Sequence, residues 1–291
     1  MGPKFRRDYQ ILPERTEKDM AAKGYWVIRK YEAGAVGESI KYWVPGDKPT
    51  KSERRLKSEI KKQQQNEASA EKHMARQIHA NFNCGDYLIG LDYSAEGLAM
   101  IVYGLDPDDP KYADKLYHAA HHQLRLWIGR VREACRKAGV PFRYIAITSD
   151  MDGKTGEAKR VHHHVIINAE ALEIALKKWT RGGTHHEHLY NVVDQTALAA
   201  YLLNQVRRLP DEKKYIPSRN LITPQPKDRI ARSGAELTVP RGGQLLHRNE
   251  YKPGRPQYIR YILPEVGKIR KGKKPEKEDE AGGPADQETI S

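Results

Sequence analysis

Two cysteines, Cys84 and Cys135, are all that this chain of 291 residues carries. Two thiols do not make a disulfide framework, and their separation suits no zinc site. Long apolar runs are missing too. The longest, Leu98 to Leu105, has eight residues, where a membrane-spanning helix needs about 18 or more. The basic N-terminal stretch MGPKFRRDYQ has no apolar segment behind it, so no signal peptide is expected. No G-x-x-x-x-G-K-[ST] loop occurs, which leaves no phosphate cradle for a helicase motor, and no internal repeat is visible. These absences predict a cytoplasmic, reduced protein with no membrane association.

What the chain has in quantity is charge. Lys plus Arg number 51 against 38 Asp plus Glu, for a net charge of +13. Charged residues make up 31% and the apolar set 38%, enough for a core in one large or two smaller domains. Segment 264–291 holds six Lys/Arg and seven Asp/Glu with almost nothing apolar, a composition expected to stay disordered. Its charge of −1 leaves +14 on the remainder. A fixed basic surface favours a polyanionic partner, nucleic acid first.

Hydrophobic patterning predicts an N-terminal hairpin from Tyr25–Tyr31 and Ser39–Val44. A polar, basic helix follows to about Ala80, opened by a capping box at Thr50 and Glu53. Asp86–Tyr93 reads as a strand with Tyr87, Ile89, Leu91 and Tyr93 on one face, and Leu98–Tyr103 as a second strand. An apolar stripe at steps of three and four predicts a long helix over 112–138, stopped by Gly139. Strands are expected at Phe142–Thr148, Val161–Asn168 and His186–Val193, and helices at Glu170–Trp179 and Thr196 to about Leu209. The hairpin-length link between the strands at 142–148 and 161–168 points to an α+β fold. It predicts an antiparallel central sheet with helices on one face, in the ferredoxin-like manner. The expected divisions are 1–81, a hairpin and basic helix; 82–263, the main domain with a C-terminal extension; and 264–291, the tail.

The most informative stretch is RVHHHVIIN, Arg160 to Asn168. Strand alternation turns His162 and His164 to one face and His163 to the other. Two imidazoles two residues apart on a strand suit one divalent ion, which polarises a phosphoryl oxygen. Three unliganded histidines inside a sheet would be costly. Two other groups compete. His118, His121 and His122 lie on the long helix, where a solvated face is the simpler account. His185, His186 and His188 read as exposed or as nucleic-acid contacts.

A His-x-His strand followed by a helix with an early tyrosine resembles the HUH endonucleases, and among them the rolling-circle replication initiators of small phages and plasmids. The resemblance covers roughly 82–224 and rests on DYLIGLDYS, RVHHHVIIN, TALAAYLLNQ and YIPSRNLITP. It implies a metal-dependent tyrosine nuclease acting in DNA replication, which nicks and joins single-stranded DNA at a replication origin through a covalent 5′-phosphotyrosine link. Tyr201 would be the nucleophile, with Tyr190 and Tyr215 as competitors. Mn²⁺ or Mg²⁺ would sit on His162 and His164, with Asp150 as third ligand; the Ser149 register and Asp92 remain alternatives. Arg160, Arg207, Arg208, Ser218, Arg219 and Asn220 would contact the nucleic acid, although a tight structural turn accounts equally for the last three. A host helicase and polymerase are the further partners implied. The sequence departs from the family pattern at Gly90 and Asp92, where threonines are usual, and at Asn204, where a lysine is. A relaxase or transposase with the same chemistry, and a basic DNA-binding protein with a decayed site, are the alternatives.

Overall fold

The computed structural model describes residues 24–45, 59–190, 192–207, 213–252 and 254–264. The expected helix start at Thr50 and the tail from residue 265 lie outside the described residues. The fold is α+β; the described residues form two antiparallel five-stranded sheets and five helices. Among the described residues, no helix is long and apolar enough to cross a membrane.

The chain enters as a hairpin, β1 (Gly24–Ala33) and β2 (Val36–Pro45), paired along its full length. Gly34 turns it with a φ of 55°. A Cβ there would lie 2.0 Å from the carbonyl oxygen of His79, so only glycine lets the turn press against α1 (Glu59–Asn81). The first sheet runs β6–β3–β5–β4–β7, from β3 (Tyr87–Leu91), β4 (Tyr144–Met151), β5 (Ala158–Ile167), β6 (Thr184–His188) and β7 (Ile216–Pro217). The second is completed late in the chain by β8 (Lys227–Ala231), β9 (Gln244–Arg248) and β10 (Gln257–Ile262), in the order β8–β1–β2–β10–β9. The N-terminal hairpin is therefore the centre of a sheet whose other strands follow residue 226, and position 81/82 does not separate the two sheets.

Helices cover both faces of the first sheet, not one. Ile89, Leu91, Ala146, Val165 and Ile167 pack against α3 (Tyr112–Ala138), whose stripe of Ala120, Leu124, Trp127, Val131 and Cys135 is buried. Ile145, Ile147 and Ile166 point the other way, into a core with Met74 and Ile78 of α1 and Leu198 and Leu202 of α5 (Thr196–Asn204). Both faces of β4 and β5 are apolar in this region, so each needs its own cover. The long helix runs as expected, and Gly139 ends it at φ 69°.

The second strand expected at 98–103 is instead α2 (Ala95–Val102). Ser94 caps it, accepting from the Gly97 N–H at 3.0 Å. The run Ala95, Leu98, Ala99, Met100 lacks the period-2 alternation of a half-buried strand. A Cβ on Gly97 would sit 1.8 Å from the carbonyl oxygen of Arg181. We expect Gly97→Ala to destabilise the protein by about 1–3 kcal/mol, since a backbone atom must give way; the midpoint of chemical denaturation measures this. The short helix after β5 is a 3₁₀ turn, Ala169–Ala171, followed by α4 (Leu172–Lys177). β6 starts earlier than expected and stops at His188, because Leu189 turns into the α1–α5 core.

Candidate active site

The histidine pair lies on the face that α1 and α5 share. In register, His164 opposes Ile147 and His162 opposes Ser149 on β4. The apolar cover stops at Ile147, and the sheet continues past it as a polar platform. His162 Nε2 and His164 Nε2 stand 3.1 Å apart. His162 Nδ1 is 2.9 Å from the Arg160 carbonyl oxygen. A carbonyl only accepts, so Nδ1 donates to it and Nε2 is the ring nitrogen turned to His164. His164 is buried, and its Nδ1 has no hydrogen-bond partner among the described residues.

Burial, reinforced by the neighbouring His162, lowers the His164 pKa to about 4. The ring is neutral in the fold near pH 7, the form that ligates. An unfolded histidine titrates near 6.5. Between those values the unfolded chain binds more protons, so stability falls as pH drops from about 6.5 to about 4. We expect this ring to contribute a loss of about 3 kcal/mol across that window, read by denaturation at stepped pH; His164→Gln should flatten that part of the profile.

His163 faces the other way, as alternation requires. It is fully buried, with Nε2 2.9 Å from the Tyr93 hydroxyl and Nδ1 3.2 Å from Thr148 Oγ1. It is a satisfied core residue held neutral by burial. On α3, His121 Nδ1 meets the same Thr148 hydroxyl at 3.1 Å, while His118 and His122 are on the exposed face.

Tyr201 projects from α5 toward the pair, its ring centroid 6.1 Å from that of His164. It is 53% exposed, so it is not a core tyrosine despite its apolar neighbours. Tyr215, in contrast, is half-buried and its hydroxyl bonds His73 Nδ1 at 2.6 Å and Gln77 Oε1 at 3.1 Å. Tyr190 is exposed beyond the end of β6.

The structure treats the remaining expected site residues unevenly. Asp150 sits in a bulge where β4 and β5 lose register. Its Oδ2 takes a 2.7 Å bond from Arg207 Nε, and its buried Oδ1 has no hydrogen-bond partner among the described residues. Burial raises its pKa, with Arg207 opposing. Arg207 also reaches Asp114 at 3.2 Å, so two carboxylates already neutralise it. Arg160 donates to the Tyr93 carbonyl. Arg208 lies outside the described residues. Ser218, Arg219 and Asn220 are not near the histidines. Ser218 Oγ accepts from the Tyr144 N–H at 3.1 Å, and Asn220 Nδ2 donates to the Phe142 carbonyl at 3.2 Å. That fastens β7 to the opposite end of β4, about 17 Å along the strand from Ser149.

Comparisons with protein-family models, curated proteins and solved structures find no match.

Two further residues adjoin the pair: Gln205, which sequence reasoning missed, and His185, which it read as exposed or as a nucleic-acid contact and which is exposed. Gln205, four residues after Tyr201, donates from Nε2 to the Tyr201 carbonyl at 3.1 Å. Its own carbonyl accepts from the Asp150 N–H and from Ser149 Oγ, both at 3.3 Å. It ends α5 at Asn204, short of the expected Leu209, and locks that helix onto the bulge. Its i+4 spacing from the tyrosine was the available signal. His185 is the other. It opposes Gly90 on β3, which opposes His164 on β5, and a Cβ on Gly90 would lie 2.0 Å from the His185 ring. The glycine thus lets His185 lean across the strand, where its Nδ1 reaches Asp92 Oδ2 at 3.3 Å. Asp92 is on the histidine face, as alternation predicts.

Two nitrogen donors about 2.1 Å from one ion, at adjacent positions about 90° apart, stand about 3 Å from each other. The 3.1 Å between the two Nε2 atoms fits that bite. Among the described residues, no three His, Cys, Asp or Glu side chains converge as a complete ligand set. The pair therefore offers two protein donors and leaves the other positions to water or phosphate oxygen.

Proposed function

We propose that this protein nicks and rejoins single-stranded DNA at a replication origin through Tyr201, as a rolling-circle initiator does. The observation that carries the reading is the exposed Tyr201 ring facing two histidines whose Nε2 atoms are spaced for one cation. A phenol needs an electrophile whose charge is reduced before it attacks a phosphodiester. A divalent ion held by His162 and His164, manganese or magnesium, would supply that neutralisation.

The chain's own groups do the rest. The Tyr201 oxygen bonds to phosphorus and loses its proton to solvent or a nearby base. The P–O3′ bond breaks, and the 3′-oxygen leaves as a hydroxyl after taking up a proton. The 5′-phosphate stays on the tyrosine, so the reverse step rejoins the strand with no nucleotide cofactor. Gln205 fixes the helix end that carries the nucleophile.

The test is incubation of the protein with single-stranded DNA carrying its own origin, plus manganese, followed by a denaturing gel. A protein band shifted by covalent DNA is expected. Cleaved DNA with no adduct would assign the attack to water, and neither product would leave a binding protein.

A further inference from the structure

The second sheet carries none of the site's groups, yet two of its side chains reach the helices beside the site. Glu38 on β2 and Arg260 on β10 stand opposite each other in register, so both project from one face. Glu38 takes the Arg76 guanidinium of α1 at 2.6 Å. Arg260 Nε donates to Asp194 Oδ2 at 2.9 Å, two residues ahead of α5. The Arg29–Asp228 pair, also at 2.6 Å, joins β1 to β8 and stays within the sheet.

Asp194 is the hub at the entry to α5. Its Oδ1 accepts from the Thr196 N–H at 3.1 Å and from the Thr196 hydroxyl at 2.6 Å. That gives a partner to a first-turn donor which the helix itself leaves open. A carboxylate there also suits the positive end of the helix dipole. Beside it, the Gln195 N–H donates to His79 Nε2 of α1 at 2.8 Å. The Gln195 side chain donates to the Tyr190 and Val192 carbonyls at 2.9 and 3.1 Å, which closes the loop behind the helix. The His79 carbonyl is the atom against which the Gly34 turn of the second sheet presses.

Nine residues make a helix too short to be stable alone. Leu198 and Leu202 bury its inner face, and contacts at its two ends set its tilt. Gln205 holds the far end, four residues past the tyrosine. Asp194 holds the near end, seven residues before the tyrosine, or about 10 Å along the axis. With the near end released, the helix can pivot on Gln205. A shift of about 1 Å at the attacking atom costs on the order of 10²-fold in rate.

We propose that Arg260, acting through Asp194, is a positioning residue for the nucleophile, so that the second sheet aims the Tyr201 helix at the histidine pair. The proposal rests on the cleavage reading for the reaction it serves, but the set of the helix is measurable without that reaction.

The experiment uses the full chain. Arg260→Gln and Asp194→Asn each remove the charge pair, and Asp194→Asn keeps an acceptor for Thr196. Arg29→Gln is the control, since it breaks a buried pair of the same sheet that does not lead to α5. Adduct formation is followed in single turnovers with manganese and the single-stranded origin, over a range of DNA concentrations and below every variant's unfolding midpoint. Both test variants should lower the rate at saturating DNA by at least about tenfold, with the half-saturating concentration unchanged. The double variant should be no slower than either single one. Arg29→Gln should keep the wild-type rate. Hydrogen exchange supplies a second readout: amides 196–204 should exchange faster in Arg260→Gln and not in Arg29→Gln. A wild-type rate in Arg260→Gln, equal slowing in Arg29→Gln, or additive losses in the double variant overturns the proposal. If Arg260→Gln does not fold, Asp194→Asn carries the same expectations and the same refutation. If the wild type forms no adduct, exchange decides: faster exchange confined to α5 keeps the positioning role and drops the cleavage reading, while unchanged exchange overturns both.

Discussion

Tyr201→Phe is expected to abolish the covalent DNA adduct, by at least about 10³-fold, while DNA binding and metal binding persist. The ring is half exposed and touches the site through its edge toward His164. Removing one hydroxyl leaves its packing intact and costs folding little. Tyr190→Phe and Tyr215→Phe should keep the adduct. For Tyr215 the structural grounds are direct: its hydroxyl is already committed to His73 and Gln77, and burial pushes its pKa up. Peptide mapping of the trapped adduct checks the assignment independently. Phosphate on Tyr215 would require its bonds to His73 and Gln77 to open and would contradict the geometry described above.

His162→Ala and His164→Ala should each reduce nicking by at least about 10²-fold, because one imidazole cannot hold the ion in place for the phosphate. His163→Ala should behave differently. It removes a ring that two hydroxyls satisfy from opposite sides. The expected cost is about 2–4 kcal/mol of stability, with nicking retained below the lowered unfolding midpoint. Denaturation curves and adduct assays on all three variants separate the two behaviours. Loss of nicking from folded His163→Ala would undo the face assignment.

The histidine face was legible in the sequence because a strand has a period of two and needs no tertiary knowledge. The long helix was legible for the same kind of reason, down to its glycine stop. Helix α2 was misread because a short apolar run carries no period, and its deciding feature is a local bond from Ser94. Helices on both faces were missed because the polar half of α1 suggested a surface helix, while its last turns carry Met74 and Ile78 into the core. The third-ligand question illustrates a further limit. Asp150 and Asp92 look equivalent in sequence. Only the bulge at 150 and the open strand at Gly90 show that the first answers to Arg207 and the second to His185. At the Ser218 turn, phosphate contact and a tight structural turn read alike in sequence; in the fold its hydroxyl and amide bond backbone at a sheet edge, as the turn alternative has it.

The second sheet sets an order of events on the ribosome. β1 and β2 are made before the other described elements, and their outer neighbours, β8 and β10, emerge about 200 residues later, some 10–40 s at ordinary synthesis rates. A two-stranded hairpin is at best marginally stable alone, and both of its long edges stay open for that time. Glu38 on β2 anchors Arg76 of α1, and Arg260 of β10 anchors Asp194 just ahead of α5. The helix that carries Tyr201 is thus tied to the last strand completed. A nascent chain holds every residue of the histidine platform well before it has the strap that steadies its nucleophile, so cutting competence should arrive only once β10 has emerged.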